Sequence, residues 1–264
     1  MPPMRMLFSI IRRPFTPRCA VHSFFSLPWP PVSGPFNILG RAPIRPGAHF
    51  QTGCRIARFT CVLVLETSQS KRFARPHRPF GWRAAGGNTL NAAQWLQKTR
   101  ARVVVNAGYF DGQGQPMGLR AGKNTVGSKM RRADWGVFWV KNGVAHLSHT
   151  RDFSPTFLPD EAIQCGPRLV VNSVVTKLKP QWARRTGVGI DSQGRVVIAV
   201  SNDELSLDEW ARLWASPSGL GCTDALNMDG GPSTQLAVSG RSDLDISGGW
   251  RLSEAMHPEP THAE

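Results

Sequence analysis

Residues 225–238 place the tightest demand on how this chain folds. Ala225-Leu226-Asn227-Met228 reads as a short apolar strand, Asp229-Gly230-Gly231-Pro232 as a turn opening on a carboxylate, and residues 235–238 as a second strand-like run. Two successive glycines let the backbone take φ > 0 or pass close to a neighbouring group. Pro232 fixes one φ and removes one N–H donor, leaving the other amides of the turn free. Ser233 and Thr234 add two hydroxyls. Taken alone, the stretch is an Asp-Gly hairpin turn. A carboxylate, free amides and hydroxyls gathered at a strand end also suit a polar or anionic ligand.

The rest of the chain supplies strands around that turn. Residues 59–65 form a continuous β-branched run, and Val103-Val104-Val105 reads as a buried strand. Residues 90–100 form a helix, with Asn91 and Gln94 spaced as a cap and Ala92, Ala93, Trp95 and Leu96 on one side. Pro116-Met117-Gly118-Leu119 and residues 135–140, closed by Asn142-Gly143, continue with strands and hairpins. Residues 188–190 and 196–200 flank an Asp191-Ser192-Gln193-Gly194 turn, a second strong hairpin. Ser206 and Glu209 form a capping box that opens a helix through Trp210, Leu213 and Trp214. Strand hairpins with two helices, each preceding a short strand, predict an α+β single domain with a mixed, largely antiparallel sheet.

Three further blocks end or flank apolar runs: Asn106-Ala107-Gly108-Tyr109-Phe110, Gln164-Cys165-Gly166-Pro167-Arg168-Leu169-Val170, and Arg185-Thr186-Gly187-Val188-Gly189-Ile190-Asp191. In this order, with the Asp-Gly-Gly block last, they resemble the phosphodiester glycosidase family over about residues 59–252. The chain departs from the pattern of eukaryotic members in two places. Ala107 and Tyr109 replace a glycine and a phenylalanine, and Pro232 stands where glycine is frequent.

The resemblance implies hydrolysis of a sugar 1-phosphodiester. There the leaving group is already a stable anion, so little push from a general acid is needed. What remains is to bind the phosphate, stabilise an oxocarbenium-like transition state and direct water or a nucleophile. Arg168 and Arg185 match the family's arginines, and a guanidinium fork suits two phosphate oxygens. Asp229 is the candidate general base or nucleophile, with a turn-holding role that can coexist with it. Asn106 at a strand end suits a sugar hydroxyl or a water, and Tyr109 suits a sugar face or the core. Catalysis thus falls to Asp229, Asn106 and Arg185; Arg168, Thr186, Gly108, Tyr109, Gly230, Gly231 and Ser233 line the substrate. Asp111, Asp191 and Asp203 are alternatives for a second carboxylate, Asp191 reading more simply as a hairpin residue. Arg168, Arg185 and the Asp229 turn are expected to converge on one pocket. The alternative from another class is a non-catalytic carbohydrate or cell-wall binding protein using the same pocket.

Charge divides the chain unevenly. The formal net charge of +14 splits as +8 over residues 1–58, +11 over 59–132 and −5 over 133–264, so the half bearing Asp229 is acidic. No basic stripe interleaved with aromatics and no reading module signals specific nucleic-acid binding. Residues 1–55, rich in Pro and Arg without sustained periodicity, read as an irregular or disordered basic leader; residues 56–255 form the domain and 256–264 a tail. No apolar run approaches the roughly 20 residues of a transmembrane helix. The start lacks a clean secretory signal, whereas the resemblance implies an exported, periplasmic or lumenal protein. The five cysteines include no C-x-x-C pair; Cys165 and Cys222 read as buried thiols, with a bridge between them as the alternative. The seven histidines lack ligand spacing, so no metal centre or cofactor is expected. A divalent cation on Asp229 and carbonyl oxygens is compatible with oxygen-only ligation.

Overall fold

The structure, a computed structural model, describes residues 89–122, 128–154, 156 and 159–257 in full, together with the backbone of four earlier strands. Those four are β1 (Met6–Ile10), β2 (Phe36–Ile38), β3 (Thr60–Leu65) and β4 (Gly81–Ala84). Helix α1 (Ala92–Thr99) leads into β5 (Val103–Asn106). Then come β6 (Arg120–Gly122), β7 (Gly136–Lys141), β8 (Val144–His149), β9 (Glu161–Cys165), β10 (Arg168–Val171) and β11 (Val174–Val175). The long hairpin β12 (Trp182–Asp191) and β13 (Val196–Ser206) runs into helix α2 (Leu207–Ala215). The chain closes with β14 (Cys222–Asn227), β15 (Leu236–Val238) and β16 (Glu254–His257).

These strands make three sheets. The largest has the order β11-β10-β14-β12-β13-β3-β1-β2, the second β15-β5-β16-β4 and the third β6-β9-β7-β8. Among the described strands only the β1–β2 pair is parallel. The architecture is the expected α+β body, built from mostly antiparallel sheets with two helices. Periodicity alone did not divide the strands among three sheets.

One shared core joins the sheets. Val103 and Val105 of β5, Phe138 of β7, Ile163 of β9, Val188 of β12, Ile198 of β13, Leu226 of β14, Leu236 of β15 and Met256 of β16 all belong to it. The other face of the large sheet packs on α2 through Trp210, Trp214, Val197, Ala199 and Ala225. Trp214 lies so close that a Cβ on Gly187 would sit 2.6 Å from its ring and one on Gly189 2.7 Å away. Strand alternation therefore sorts β12 cleanly, with Val188 facing the shared core and Gly187 and Gly189 facing α2.

Both helices begin as their sequences require. Asn91 accepts the Gln94 amide at 2.9 Å while the Gln94 side chain accepts the Asn91 amide at 3.1 Å. Ser206 and Glu209 make the same reciprocal box, which is worth about 1 kcal/mol at a helix N-terminus. Ala92 and Trp95 are the buried face of α1, packed on Val104, Ala237 and Ala255.

Three expectations change. Pro116-Met117-Gly118-Leu119 makes no strand: Pro116 forms an isolated bridge to Phe110, and pairing resumes only at Arg120. Within the stretch read as an irregular leader, Met6–Ile10 pairs antiparallel with β3 along its whole length and Phe36–Ile38 pairs with it in turn. Gly81–Ala84, not read as a strand from sequence, pairs with β16. The residues between β3 and β4, most of the leader and the tail beyond His257 lie outside the described residues. Cys165 and Cys222 are buried free thiols, one in the shared core and the other under α2.

Candidate active site

Asp229 stands where the chain leaves one sheet for another. β14 belongs to the large sheet and β15 to the second, so the Asp-Gly-Gly-Pro turn is a crossover and not a hairpin. A short 3-10 turn, Gly231–Ser233, completes it, with Gly231 at φ +58 where other residues are strained. Gly230 is extended, and its need is for space: a Cβ there would lie 2.7 Å from the Arg184 carbonyl oxygen.

Asn106, the last residue of β5, holds this crossover in place. Its Nδ2 donates to the Asp229 carbonyl oxygen at 2.7 Å. Its Oδ1 accepts the Thr186 hydroxyl at 2.6 Å and the Gln235 amide at 3.1 Å. The Asp229 amide donates to the Ala107 carbonyl at 3.2 Å and the Met228 amide to Thr186 at 2.9 Å. One buried side chain thereby ties β5, β12 and both arms of the crossover.

Tyr109 and Asn227 form the neighbouring wall. The Tyr109 hydroxyl donates to the Gly166 carbonyl at 2.6 Å, and Asn227 Nδ2 donates to the same carbonyl at 3.2 Å and to Met228 at 2.7 Å. The Tyr109 ring leans on Trp135 with centroids 5.2 Å apart. Burial raises the Tyr109 phenol well above its ordinary range, with Cys165 and Asp229 adding to the shift.

The Asp229 carboxyl is itself shifted. Burial raises it from the ordinary 3.8 to about 6, against the pull of the Ser233 hydroxyl, the Gly230 amide and the charge of Arg120. The Gly230 amide donates to Oδ1 at 2.9 Å. Ser233, fully buried, lies near the carboxylate but makes no close hydrogen bond of its own. A carboxyl titrating near 6 exchanges protons close to neutral pH, which suits general acid–base work.

The charge that reaches Asp229 comes from Arg120, which the sequence did not single out. Arg120 is fully buried. Its Nε donates to Glu254 at 2.8 Å and its Nη1 to the carbonyls of Leu119 and Gln164 at 3.0 and 3.1 Å. Burial raises the Glu254 carboxyl and Arg120 opposes that rise. This ion pair explains Gly108, where a Cβ would stand 2.3 Å from Arg120 Nη2. Gly108 therefore makes room for the guanidinium behind the wall.

Arg168 and Arg185 are not brought together. Arg168 is in register with Leu226, and Leu226 with Val188, so it leaves the large sheet on the shared-core side. Its stem runs along Gly136, where a Cβ would meet its Cγ at 2.9 Å; the Asp134 carboxyl is lowered chiefly by its hydrogen bond with His149, with the charge of Arg168 adding to it. Arg185 is in phase with Gly187, whose register partner is Asn227, and its charge lowers the Tyr109 phenol against the rise from burial. Its guanidinium donates to the carbonyls of Leu205, at 3.1 Å, and Gln181. Gln181 also accepts the first amide of α2, so Arg185 braces the open end of the β12–β13 hairpin.

Two of the alternative carboxylates, Asp111 and Asp191, have local work. Asp111 accepts the amides of Gln113 and Gln115 at 2.9 and 2.8 Å, and Asp191 pairs with Arg195 at 2.6 Å across the distal hairpin turn. The main-chain carbonyl of Asp203 accepts the Ser201 hydroxyl at 2.9 Å. Among the described residues no three His, Cys, Asp or Glu side chains gather as a metal site. No helix of the described residues is long and apolar enough to cross a membrane.

Arg120, Glu254 and Asn227 are the residues that sequence reasoning missed. Asn227 sits two positions before Asp229 in the same block, a signal that was available. Arg120 and Glu254 carry none by spacing, since 134 residues separate them.

A sequence model of the phosphodiester glycosidase family matches residues 99–256. The fold is similar to the zebrafish N-acetylglucosamine-1-phosphodiester alpha-N-acetylglucosaminidase catalytic domain, a structure auto-inhibited by its pro-peptide. That likeness has 15% identity and a TM-score of 0.59 over 79% of each chain. A hypothetical protein from Synechocystis is similar at 14% identity and TM-score 0.50, covering 76% of this chain and 59% of that one. No curated protein matches the chain in sequence.

Proposed function

The chain belongs to the phosphodiester glycosidase family, and on that premise we propose that it is a hydrolase cleaving a sugar 1-phosphodiester at the Asp229 crossover. The observation that carries the reading is a partly buried carboxyl poised near pH 6 on a turn clamped by Asn106. Ionised, Asp229 takes a proton from water attacking the anomeric carbon or attacks that carbon itself. The phosphomonoester departs as an anion and needs little proton donation. Tyr109 and Asn227 line one wall, while Gly231, with open space where a side chain would stand, leaves room for close approach at the turn. Asn106 and Thr186 position Asp229 from behind. Ser233, beside the carboxylate, steadies its charge. The substrate class is a phosphorylated sugar or glycan. Zebrafish N-acetylglucosamine-1-phosphodiester alpha-N-acetylglucosaminidase, of similar fold, makes an N-acetylglucosamine phosphodiester the first sugar to try.

A panel of synthetic sugar 1-phosphodiesters, assayed with and without chelator, tests the reading. Release of free sugar and phosphomonoester from at least one member is expected. Saturable binding of sugar ligands with no turnover of any member would favour the non-catalytic carbohydrate-binding alternative.

A further inference from the structure

We infer that Arg184 is the arginine that holds the substrate's anionic group, the part that the family resemblance assigns to Arg168 and Arg185. The inference builds on the phosphodiester reading of the Asp229 crossover but is tested apart from it. Arg185 acts on Tyr109 by its charge but gives its Nε and Nη2 to Leu205 and Gln181, Arg120 is bonded to Glu254 and main-chain carbonyls, and Arg168 lies along Gly136 toward Asp134. Arg184 differs from all three. Its Nη1 donates to the Ser247 carbonyl at 2.9 Å, which pins the guanidinium. Its Nε and Nη2 are buried with no acceptor among the described residues. Those two nitrogens form the edge of the guanidinium that takes two oxygens of a phosphate or carboxylate side by side.

The position fits. Arg184 stands at the register shift between Ala183 and Arg185 in β12, two residues before Thr186, whose hydroxyl reaches Asn106. Its own carbonyl packs against Gly230, the residue after Asp229. The loop to which its Nη1 is tied is strapped to the same crossover, since the Gly249 and Trp250 amides both donate to Pro232, at 2.8 and 3.1 Å. Within the crossover the Thr234 hydroxyl is fully buried without a partner. Buried donors left without acceptors cost a fold stability. An oxyanion satisfies the Arg184 fork at once, and burial both lowers the arginine's own pKa and strengthens its pull on a bound charge. A phosphodiester monoanion, with two free oxygens on one charge, matches that edge.

The test titrates inorganic phosphate and dimethyl phosphate into the full chain, by calorimetry or phosphorus NMR, for wild type, Arg184→Gln, Arg184→Lys and Arg212→Gln. Arg212 pairs with Asp208 on the exposed side of α2 and controls for loss of one positive charge. Arg184→Gln is expected to weaken binding about 10- to 100-fold, and Arg212→Gln less than about twofold. Should Arg184→Gln not fold, Arg184→Lys keeps the charge without the fork and is expected to lose about 3- to 10-fold. Arg184 variants binding like wild type, or a wild type with no saturable phosphate binding, would overturn the assignment. Phosphate binding lost on mutation in a protein that turns over no sugar phosphodiester keeps the anion site and removes only the enzymatic reading.

Discussion

The Asn106 side-chain amide donates a 2.7 Å hydrogen bond to the main-chain carbonyl of Asp229, joining the end of a strand in one sheet to the crossover that leaves another. The same side chain accepts from Thr186 and from Gln235. Asn106→Ala orphans a buried carbonyl, hydroxyl and amide together. A loss of about 2–4 kcal/mol in denaturant unfolding is expected, with kcat/KM falling more than about tenfold because the carboxylate loses its seat. Asn106→Asp, which keeps the acceptor and loses the donor, is expected to retain more stability than Asn106→Ala while losing comparable activity.

Asp229 makes the protein less stable when ionised. Its folded-state pKa, about 6 against an ordinary 3.8, means that the native chain holds the proton more tightly than the unfolded chain. Between those two values the folded state binds more protons, so stability falls as pH rises, and above about 6 the full cost is present. Asp229→Asn removes the cost. A rise of up to about 3 kcal/mol in unfolding free energy at pH 7, shrinking to near zero at pH 4, is the expected outcome. A variant less stable than wild type at pH 7 would place the carboxylate in a role that holds the fold.

Gly108 has a negative φ and so tolerates other residues in conformation, but not in space. Arg120 Nη2 occupies the place of the missing Cβ. Gly108→Ala must push the guanidinium off Glu254 or shift the strand end, and a cost of about 2–4 kcal/mol follows from disturbing a buried pair. Glu254→Ala leaves the Arg120 charge buried and is expected to cost about 3–5 kcal/mol. Thermal and denaturant unfolding of both variants, with the double variant to measure coupling, checks the link.

Much of the fold was legible because its signals are local. The caps at Asn91 and Ser206, the Asn142-Gly143 and Asp191–Gly194 turns and the apolar strands each follow from a few adjacent residues. The sheet partition was not, because strand order depends on which faces meet. Met6–Ile10 escaped notice since a five-residue apolar run earns its strand only from β3 beside it. In the candidate site, Asn106, Thr186, Tyr109 and Asp229, which the fold brings together, stand in blocks at or near strand ends. Arg168 and Arg185, paired on the family resemblance, leave the large sheet on opposite phases of the pleat, a relation that only the register between separate strands sets. Arg120 and Glu254 meet only through tertiary packing.

Gly189 tests how the site strand is held on α2. A Cβ there meets the Trp214 ring at 2.7 Å and the Asp224 carbonyl oxygen at 2.8 Å. The carbonyl belongs to the β12–β14 ladder and cannot yield, so Gly189→Ala is expected to destabilise by about 1–3 kcal/mol. Gly240→Ala makes the same chemical change at a site open in space, where only its φ of +72 opposes the new methyl, and is expected to cost about 1 kcal/mol. Equal costs at the two positions would mean that α2 is not packed tightly on β12.

The central claim is that Asp229 performs chemistry on a sugar 1-phosphodiester. The most direct measurement is kcat and ligand affinity, side by side, for wild type and Asp229→Asn on whichever phosphodiester of the panel is turned over, across pH 4.5–8. The account predicts a wild-type rate that rises through about pH 6 as the carboxyl ionises. It predicts a fall in kcat of at least about 1,000-fold in the variant, with affinity within about tenfold of wild type. A variant that keeps wild-type turnover, or a wild-type rate flat across that pH range, would contradict it.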